Sequence, residues 1–300
     1  MLTGIHFLLT YACTYECDHC FLYCSPFSQG TFTTRQIREI LTDAKHNTDI
    51  SGVYFEGGEP FLFYAAMLEG TRIAKELGLK VGYVTNAYWA VSVEDAELYL
   101  KPLFELGIDN LFFSDDQFHY SSEDNFAKNA MRAAEELGFP AHSICIEKPV
   151  VTEVKNADGT KGQAIIGGGA RFRGRAADKL IEDLPRRDKS EFAECPDEDF
   201  ADPSRVHIDP FGNVMLCQGI NMGRITPENP FSKIVRDYDP EEHPIVRPLM
   251  KGGPGLLAKA YGIEVGDNFV DACHYCFEVR KKLMAKYPDI LCPNQVYGLE

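Results

Sequence analysis

Three closely spaced cysteines are the clearest chemical signal in this chain. Cys13, Cys17 and Cys20 lie on one stretch, separated by three and then by two residues, directly after the short apolar run at residues 5–9. Thiolates at this density on one loop favour zinc or an iron–sulfur cluster. A structural zinc ion takes four protein ligands, so zinc would need Cys24 as the fourth. Three thiolates on a four-iron cluster would leave one iron open to bind another group.

A second set of four cysteines lies in the C-terminal half of the chain. It consists of Cys195, Cys217, Cys273 and Cys276. These thiols come from three separated stretches, the last two as a C-x2-C pair at the start of a predicted helix. Four such ligands predict a closed site for zinc or for an iron–sulfur cluster. Cys292 could replace one of the four, whereas Cys24 and Cys145 are interpreted as plain thiols or core residues.

The stretch Gly57-Gly58-Glu59-Pro60 follows the second predicted strand. Its glycines allow another group to approach the backbone closely, its glutamate offers an acceptor, and its proline fixes the direction of the exit. Together with the three-cysteine loop, this stretch resembles the signatures of the radical S-adenosylmethionine (SAM) superfamily. The resemblance implies a [4Fe–4S] cluster whose open iron binds the amino and carboxylate groups of SAM, and it favours iron–sulfur over zinc at this loop.

The same resemblance implies roles for other residues. Those that it places around SAM are His19, Gly57, Gly58, Glu59, Pro60, Thr85, Asn86, Ser114, Asp115 and Arg175. Glu59 would contact the SAM amino group, and His19 would lie beside the adenine. Asp116 and His119 follow and could face the substrate as catalytic residues, because a histidine can transfer protons near neutral pH. The alternative for His119 is a structural role near a strand end.

The order of the second cysteine set resembles the twitch domain, a shortened form of the SPASM domain found in radical SAM enzymes. The predicted hairpin that ends at Cys217 and the stretch Gly223-Arg224-Ile225 behind it are also typical of that subgroup. The resemblance implies one auxiliary [4Fe–4S] cluster held by the four cysteines. The expected cofactors are therefore two [4Fe–4S] clusters and SAM, and zinc is the alternative metal at the second site.

The function implied by these resemblances is that of a radical SAM oxidoreductase or maturase. One electron, from a donor such as flavodoxin or ferredoxin, would cleave SAM, and the resulting 5′-deoxyadenosyl radical would abstract hydrogen from a substrate carbon. The auxiliary cluster would assist a net oxidation or bond formation, in either a small-molecule dehydrogenase or a maturase of ribosomal peptides. The alternative from another class is a non-catalytic iron–sulfur or zinc-binding module.

The elements that must position these residues alternate between strands and helices over the first half of the chain. Apolar runs predict strands at residues 5–10, 50–55, 80–85, 108–114 and 141–147, with a sixth near 163–168, and helices at 34–46, 61–77, 92–106 and 123–137. This order predicts an α/β fold with a parallel sheet of right-handed βαβ units, a partial (β/α)6 TIM-like barrel. The motifs follow the carboxyl ends of the strands, where parallel folds carry function.

The pattern changes after residue 147. Residues 150–154 and 161–166 flank Asn156-Ala157-Asp158-Gly159, which indicates a hairpin or a looped insertion. A basic run at 171–176 and an acidic stretch then predict a domain boundary near residue 180. The predicted units are a barrel at 1–180 and a small hairpin-plus-helix cluster-binding domain at 181–300, whose hairpin is predicted at 206–208 and 213–217.

Composition and charge limit the class of protein. The 300-residue chain is 45% hydrophobic, carries a formal net charge of −15 and contains ten cysteines. Such an acidic chain is not expected to bind nucleic acid. No apolar run reaches the length of a membrane span and no basic segment precedes the first one, so we expect neither membrane association nor secretion. In the expected cytoplasmic location, cysteines are more often metal ligands than disulfides.

Overall fold

The computed structural model of the protein describes residues 1–120, 125–157 and 162–299. Its strands are β1 Gly4–Thr10, β2 Gly52–Gly57, β3 Lys80–Thr85, β4 Asn110–Ser114, β5 Ala141–Ile144, β6 Val150–Thr152, β7 Ile165–Gly167, β8 Arg187–Asp188, β9 Arg205–Ile208, β10 Asn213–Cys217, β11 Ile220–Arg224 and β12 Asn268–Phe269. Its helices are α1 Thr34–Asn47, α2 Tyr64–Glu76, α3 Val93–Glu105, α4 Phe126–Glu136, α5 Arg175–Lys179, α6 Phe231–Asp237, α7 Val246–Tyr261 and α8 Ala272–Leu283. The predicted start of the fourth helix at Glu123 and the turn residues Asp158 and Gly159 lie outside the described residues.

Eight of these strands form one sheet in the order β11–β10–β9–β1–β2–β3–β4–β5. The pairs from β9 to β5 are parallel, while β10 and β11 run antiparallel. The prediction of an α/β fold with a mostly parallel sheet is therefore confirmed. Within the described residues, β5 and β11 each have a neighbour on one side only, so the sheet stays open between them.

Local sequence signals explain the helices between the parallel strands. Ser92 caps α3 by accepting a hydrogen bond from the backbone of its first turn, and Thr33 with Gln36 forms a capping box at α1. Gly107 follows α3 with a φ of +72°, a left-handed conformation that favours glycine and ends the helix. No helix in the described ranges has the length and apolar character needed to cross a bilayer.

The sixth parallel strand differs from the prediction. The residues predicted near 163–168 form β7, which pairs antiparallel with β6 as a separate hairpin. Val150 and Ile165 of this hairpin are 58% and 60% exposed, so it lacks the buried faces of a parallel sheet strand. The sixth parallel strand is instead β9, which pairs with β1 and has Val206 and Ile208 fully buried.

The predicted domain boundary near residue 180 stays a prediction, and the sheet runs across it because β9, β10 and β11 extend the sheet beside β1. Helix α6 also packs on α1, where the backbone N–H and the hydroxyl of Ser232 donate to the Asp43 carboxylate at 2.7 and 2.8 Å. The later part of the chain is thus joined to the first through both strand pairing and helix packing.

The two faces of the sheet differ, because successive side chains of a strand point to opposite sides. Phe7 and Phe55 stack 5.5 Å apart on the face that packs against α1 and α2. His6 and Tyr54, their neighbours in the chain, stack 4.8 Å apart on the opposite face. We call this second face the inner face. On the inner face, side chains of β1, β2 and β9 meet, and helices α1 and α2 lie on the other side of the sheet.

Candidate functional site

The three predicted ligands of the N-terminal site lie around one cavity at the carboxyl end of the sheet. Cys13, Cys17 and Cys20 all line it, together with residues that follow β2, β3 and β4. Backbone hydrogen bonds hold the loop that carries them: Cys13 N–H donates to Ser25 O at 3.0 Å, and Cys20 N–H to Cys17 O at 3.0 Å. The fold therefore brings the predicted motifs of four separate loops to one place.

The other predicted site residues divide into two groups. Those that line this cavity are His19, Gly57, Gly58, Thr85, Asn86, Ser114 and His119. Those that lie outside its lining are Glu59, Pro60, Asp115, Asp116 and Arg175. Pro60 is buried and opens the 3₁₀ turn Pro60–Phe63 after β2. The remaining members of the second group hold the loops around the cavity through hydrogen bonds.

The two glycines of the turn after β2 are required by the cysteine loop itself. Gly57 has a φ of +122°, and a Cβ at Gly58 would lie 2.1 Å from the carbonyl oxygen of Ala12. This close contact includes backbone hydrogen bonds from Gly58 to Thr10 at 2.7 Å and from Glu59 to Ala12 at 2.9 Å. Any side chain at Gly58 would push the turn away from the loop that carries the cysteines.

Glu59 is fully buried, and its carboxylate accepts three hydrogen bonds. The donors are Phe61 N at 3.0 Å, Thr85 Oγ1 at 2.8 Å and Asn86 N at 2.8 Å. Burial raises the pKa of Glu59 to about 7, although the three bonds oppose the rise. The carboxylate thus ties the turn after β2 to the end of β3, and its contact with the SAM amino group stays a prediction.

Asn86 connects the end of β3 to the cysteine loop. Its Nδ2 donates to Thr14 Oγ1 at 3.0 Å and lies 3.6 Å from the Cys13 sulfur. Thr85, the preceding residue, accepts from Trp89 Nε1 at 3.2 Å. A side-chain amide aimed at a cysteine sulfur is a hydrogen-bond donor that stabilises the thiolate form, which is the form that binds metals.

The loop after β4 contains the two residues predicted to be catalytic. Asp116 is buried and accepts from His119 Nδ1 at 2.8 Å, and this hydrogen bond lowers the pKa of Asp116 although burial opposes it. The His119 ring, which lines the cavity, lies 5.4 Å from the ring of His19. Asp115 is turned away and accepts from Asn125 Nδ2 at 2.6 Å. Asp116 therefore orients His119 toward the cavity.

Arg175 holds the backbone of the cysteine loop. Its guanidinium donates to the carbonyls of Cys17 and Cys24, both at 2.9 Å, and its backbone N–H donates to Cys20 O at 2.9 Å. Gly174 makes this approach possible, because a Cβ there would lie 2.5 Å from the Cα of Phe21. Arg175 therefore makes three hydrogen bonds to the cysteine loop and does not line the cavity, and its predicted role near SAM stays a prediction.

The thiols of this site differ in how readily they ionise. Burial raises the pKa of Cys13 to about 12. Burial also raises the pKa of Cys17, and the negative charges of the neighbouring thiolates raise it further. The hydrogen bond from Cys24 lowers the pKa of Cys20. Buried thiolates at these positions need a positive partner, such as the iron of a cluster would supply. Cys24, interpreted from the sequence as a plain thiol or core residue, is buried, lines the cavity and hydrogen-bonds Cys20.

The second predicted cysteine set also lines a single cavity. Cys195, Cys217, Cys273 and Cys276 surround it, together with apolar side chains from α7 and from the segment before β9. A kink in α7 allows this packing: Gly253 has a φ of +60°, and a Cβ there would lie 2.5 Å from the backbone nitrogen of Glu194. Cys292 lines a different pocket and lies 2.8 Å from Asn221 Nδ2.

Two buried arginines in this second cavity were not predicted from the sequence. Arg173 donates from Nη1 to the Cys217 sulfur at 3.0 Å, and Arg280 donates to Gln218 O at 2.8 Å. Within the described ranges, the Nε atoms of both are buried without a hydrogen-bond partner. Two buried cations beside four thiols fit a site that carries net negative charge, as thiolate-bound clusters do. The only signal in the sequence was the basic run that contains Arg173 and Arg175.

Known proteins resemble this chain mainly in the part that carries the N-terminal site. Residues 7–146 match the family model of the Radical SAM superfamily. “Putative peptide biosynthesis protein YydG” of Bacillus subtilis (strain 168) is 31% identical over 107 residues, which cover 36% of this chain and 34% of that protein. A “Putative glycyl-radical enzyme activating enzyme” of Methanocaldococcus jannaschii is 28% identical over 88 residues, 29% of this chain and 33% of that protein. The chain spans about a third of the length of these relatives.

Similar solved structures include BtrN in complex with AdoMet and 2-DOIA, with a TM-score of 0.49 at 15% identity over 85% of this chain and 89% of that one. SuiB of Streptococcus suis bound to S-adenosylmethionine has a TM-score of 0.41 at 12% identity, over 82% of this chain and 68% of that one. With TM-scores under 0.5, neither supports a statement about the site. The matched residues 7–146 include the three-cysteine loop and the Gly-Gly-Glu-Pro turn, and over this region the chain is similar to the Radical SAM superfamily.

Proposed function

We propose that this protein is a radical SAM enzyme that holds a [4Fe–4S] cluster on Cys13, Cys17 and Cys20 and uses it to cleave SAM. When bound, the cluster supplies the electron that converts SAM into methionine and a 5′-deoxyadenosyl radical, which abstracts hydrogen from a substrate carbon. The observation that carries the proposal is the convergence of the three cysteines and the Gly57-Gly58 turn on one cavity within the matched region.

The chain's own residues would bind and orient SAM in this cavity. The Gly57-Gly58 backbone, Asn86 and Ser114 offer polar groups along its wall, and His19 offers an aromatic ring. His119, held by Asp116 at 2.8 Å, is placed to accept or return a proton at its free ring nitrogen. Arg175 keeps the cysteine loop in position and lies outside the wall.

We further propose an auxiliary iron–sulfur cluster on Cys195, Cys217, Cys273 and Cys276, which would assist a net oxidation or bond formation. The charges of Arg173 and Arg280 support a negatively charged group in this cavity. The sulfur spacing supports a cluster over zinc. Four thiolates bound to one zinc ion lie about 3.8 Å apart, whereas among the described residues no three cysteine sulfurs lie within 4.8 Å of one another.

The substrate we propose is a peptide, which makes the protein a maturase. The support is the similarity to YydG, whose name describes a peptide biosynthesis protein. The small-molecule dehydrogenase predicted as the other possibility gains no such support. A small electron-transfer protein such as flavodoxin or ferredoxin would deliver the electron that SAM cleavage consumes.

Formation of 5′-deoxyadenosine from SAM under anaerobic reducing conditions tests the proposal. The reconstituted wild-type protein should form it, and Cys17→Ala should not, because one cluster ligand is missing. Cys145→Ala is the matched control, since Cys145 is exposed and lines neither cysteine cavity. Equal formation by Cys17→Ala and the wild type would contradict the proposal.

A further inference from the structure

The inner face of the sheet carries a second group of polar side chains that has no role in the proposed function. It consists of His6 on β1, Glu56 on β2 and His207 on β9, and their candidate ligand atoms all lie within 4.8 Å of one another. Strand β1 lies between the other two, and His6 is directly opposite His207 in the β1–β9 register. Three paired strands therefore fix the three side chains relative to one another.

The distance from Glu56 to each histidine matches the distance between neighbouring ligands of a metal ion. His6 Nδ1 lies 3.1 Å from Glu56 Oε2, and His207 Nε2 lies 3.2 Å from Glu56 Oε1. Metal–ligand bonds of about 2.1 Å at angles of about 90–110° place neighbouring ligand atoms about 3.0–3.4 Å apart. An ion can therefore enter between the imidazoles and the carboxylate with only small shifts of the side chains.

The charge of the group also points to a cation. Among the described residues, the ion-pair partners of Glu56 are the two histidines alone, and the side chains of Glu56, His6 and His207 are only 15%, 19% and 5% exposed. Burial lowers the pKa of His207, while the two histidines lower the pKa of Glu56 against the effect of its own burial. An ionised carboxylate and a neutral imidazole are the forms that bind metals.

The ring of His207 meets the group through its Nε2 atom. Among the described residues, Glu56 is the only polar group that hydrogen-bonds this imidazole, because its Nδ1 is buried without a hydrogen-bond partner. A largely buried carboxylate whose only ion-pair partners among the described residues are two imidazoles is costly. A divalent ion bound to all three groups would offset that cost directly.

We propose that His6, Glu56 and His207 bind one divalent ion of the first transition row. Two imidazoles and one carboxylate are a ligand set that such ions adopt, with coordination positions left open. Glu56 also lines the SAM cavity next to Gly57. Through Glu56 the proposed ion would lie beside this cavity, where it could bind oxygen or nitrogen donors of a substrate. This last role rests on the proposed function, whereas metal binding does not.

Titration of the reconstituted 300-residue chain with Mn²⁺ tests the site. Mn²⁺ suits carboxylate ligands better than thiolates, so the cysteine sites compete little, and the room-temperature EPR signal of free Mn²⁺ reports what is unbound. We expect one bound Mn²⁺ per chain in the wild type and loss of this binding in Glu56→Gln and in His207→Gln. Asp116→Asn is the control, because it alters the other compact group, His19 with Asp116 and His119, and it should bind as the wild type does.

Iron content and circular dichroism of the same samples show whether each variant is folded, and His6→Gln replaces any variant that is not. No Mn²⁺ binding by the wild type, unchanged binding in both Glu56→Gln and His207→Gln, or a loss confined to Asp116→Asn would overturn the inference. The proposed function has a separate readout. If Mn²⁺ does not bind but 5′-deoxyadenosine still forms, the metal site is wrong and SAM cleavage stands.

Discussion

The Arg173 guanidinium donates a hydrogen bond to the Cys217 sulfur over 3.0 Å. Two residues later, Arg175 donates to the carbonyls of the N-terminal cysteine loop. Gly174 between them packs against Phe21, whose ring also lies 5.6 Å from the Arg173 guanidinium. One short segment, Arg173-Gly174-Arg175, thus touches both cysteine sites, which gives each arginine a separate testable role.

Replacing Arg173 should change the reduction potential of the auxiliary site. Reduction adds negative charge, so loss of a buried cation beside Cys217 disfavours the reduced form. We expect Arg173→Gln to lower the midpoint potential by about 60 mV, a tenfold change in a one-electron equilibrium. An EPR-monitored redox titration measures it. Arg171→Gln is the matched control, because that side chain is 57% exposed, and an equal shift in both variants would contradict the assignment.

Replacing Arg175 should weaken the N-terminal site instead. Arg175→Ala removes two charge-assisted hydrogen bonds to the cysteine loop, each worth roughly 1.5–3 kcal/mol. We expect the variant to lose iron from the three-cysteine site during gel filtration while the auxiliary cluster is retained. Arg175→Lys should restore little, because lysine lacks the planar fork that reaches both carbonyls. Full iron retention in Arg175→Ala would show that the loop does not depend on these bonds.

Replacing Glu59 tests its predicted contact with the SAM amino group. A charge-assisted hydrogen bond of roughly 1.5–3 kcal/mol predicts that Glu59→Ala weakens SAM binding about tenfold to a hundredfold. The iron count should stay unchanged, because no cluster ligand is altered. Calorimetric titration of SAM, with iron counted in the same samples, measures both. Glu76→Ala, an exposed change on α2, is the control. Lost iron would mean that Glu59 supports only the fold of the loop.

The raised pKa of Glu59 also predicts a dependence of stability on pH. Its pKa rises from an ordinary 4.5 to about 7 on folding, so the neutral carboxyl favours the folded state. Its contribution is complete below about pH 4.5 and is lost as the pH rises through about 7, by roughly 3 kcal/mol. Glu59→Gln does not lose stability in this way, because glutamine does not ionise. The stability advantage of the wild type over Glu59→Gln should therefore shrink between pH 5.5 and pH 8 in urea unfolding, and a constant difference would contradict it.

Iron analysis tests the number of clusters. Two cubane clusters predict about eight irons per chain, four in each. Replacing Cys13, Cys17 and Cys20 by Ala should leave roughly four, because the second cysteine set is untouched. If that triple variant instead contains one zinc ion and no inorganic sulfide, the second cysteine set is a zinc site and the auxiliary cluster is wrong.

Much of the parallel sheet and the N-terminal site could be predicted because the signals are local. Capping residues such as Ser92 and left-handed glycines such as Gly107 mark helix ends within a few positions. Residues that follow neighbouring parallel strands must meet at one edge of the sheet. For this reason Cys13, Gly57, Asn86 and Ser114 were expected together, and they line one cavity.

The rest depends on contacts between distant parts of the chain. Hydrophobic periodicity identifies a strand but gives no register with a strand about 200 residues away, so the pairing of β9 with β1 was missed. The His6–Glu56–His207 group exists only through that pairing. The partners of Glu59 and Arg173 were missed for a related reason, because side-chain direction at the end of a loop is set by tertiary packing.

EPR spectroscopy of one variant tests the central claim most directly, namely that the three-cysteine loop holds a SAM-binding cluster. The variant replaces Cys195, Cys217, Cys273 and Cys276 by Ala, so the predicted ligands of the N-terminal site alone remain. After reduction, we predict the signal of one reduced [4Fe–4S] cluster, and a change of that signal when SAM is added. A signal that SAM leaves unchanged, or the same SAM-sensitive signal in a companion variant that lacks Cys13, Cys17 and Cys20, would contradict the account.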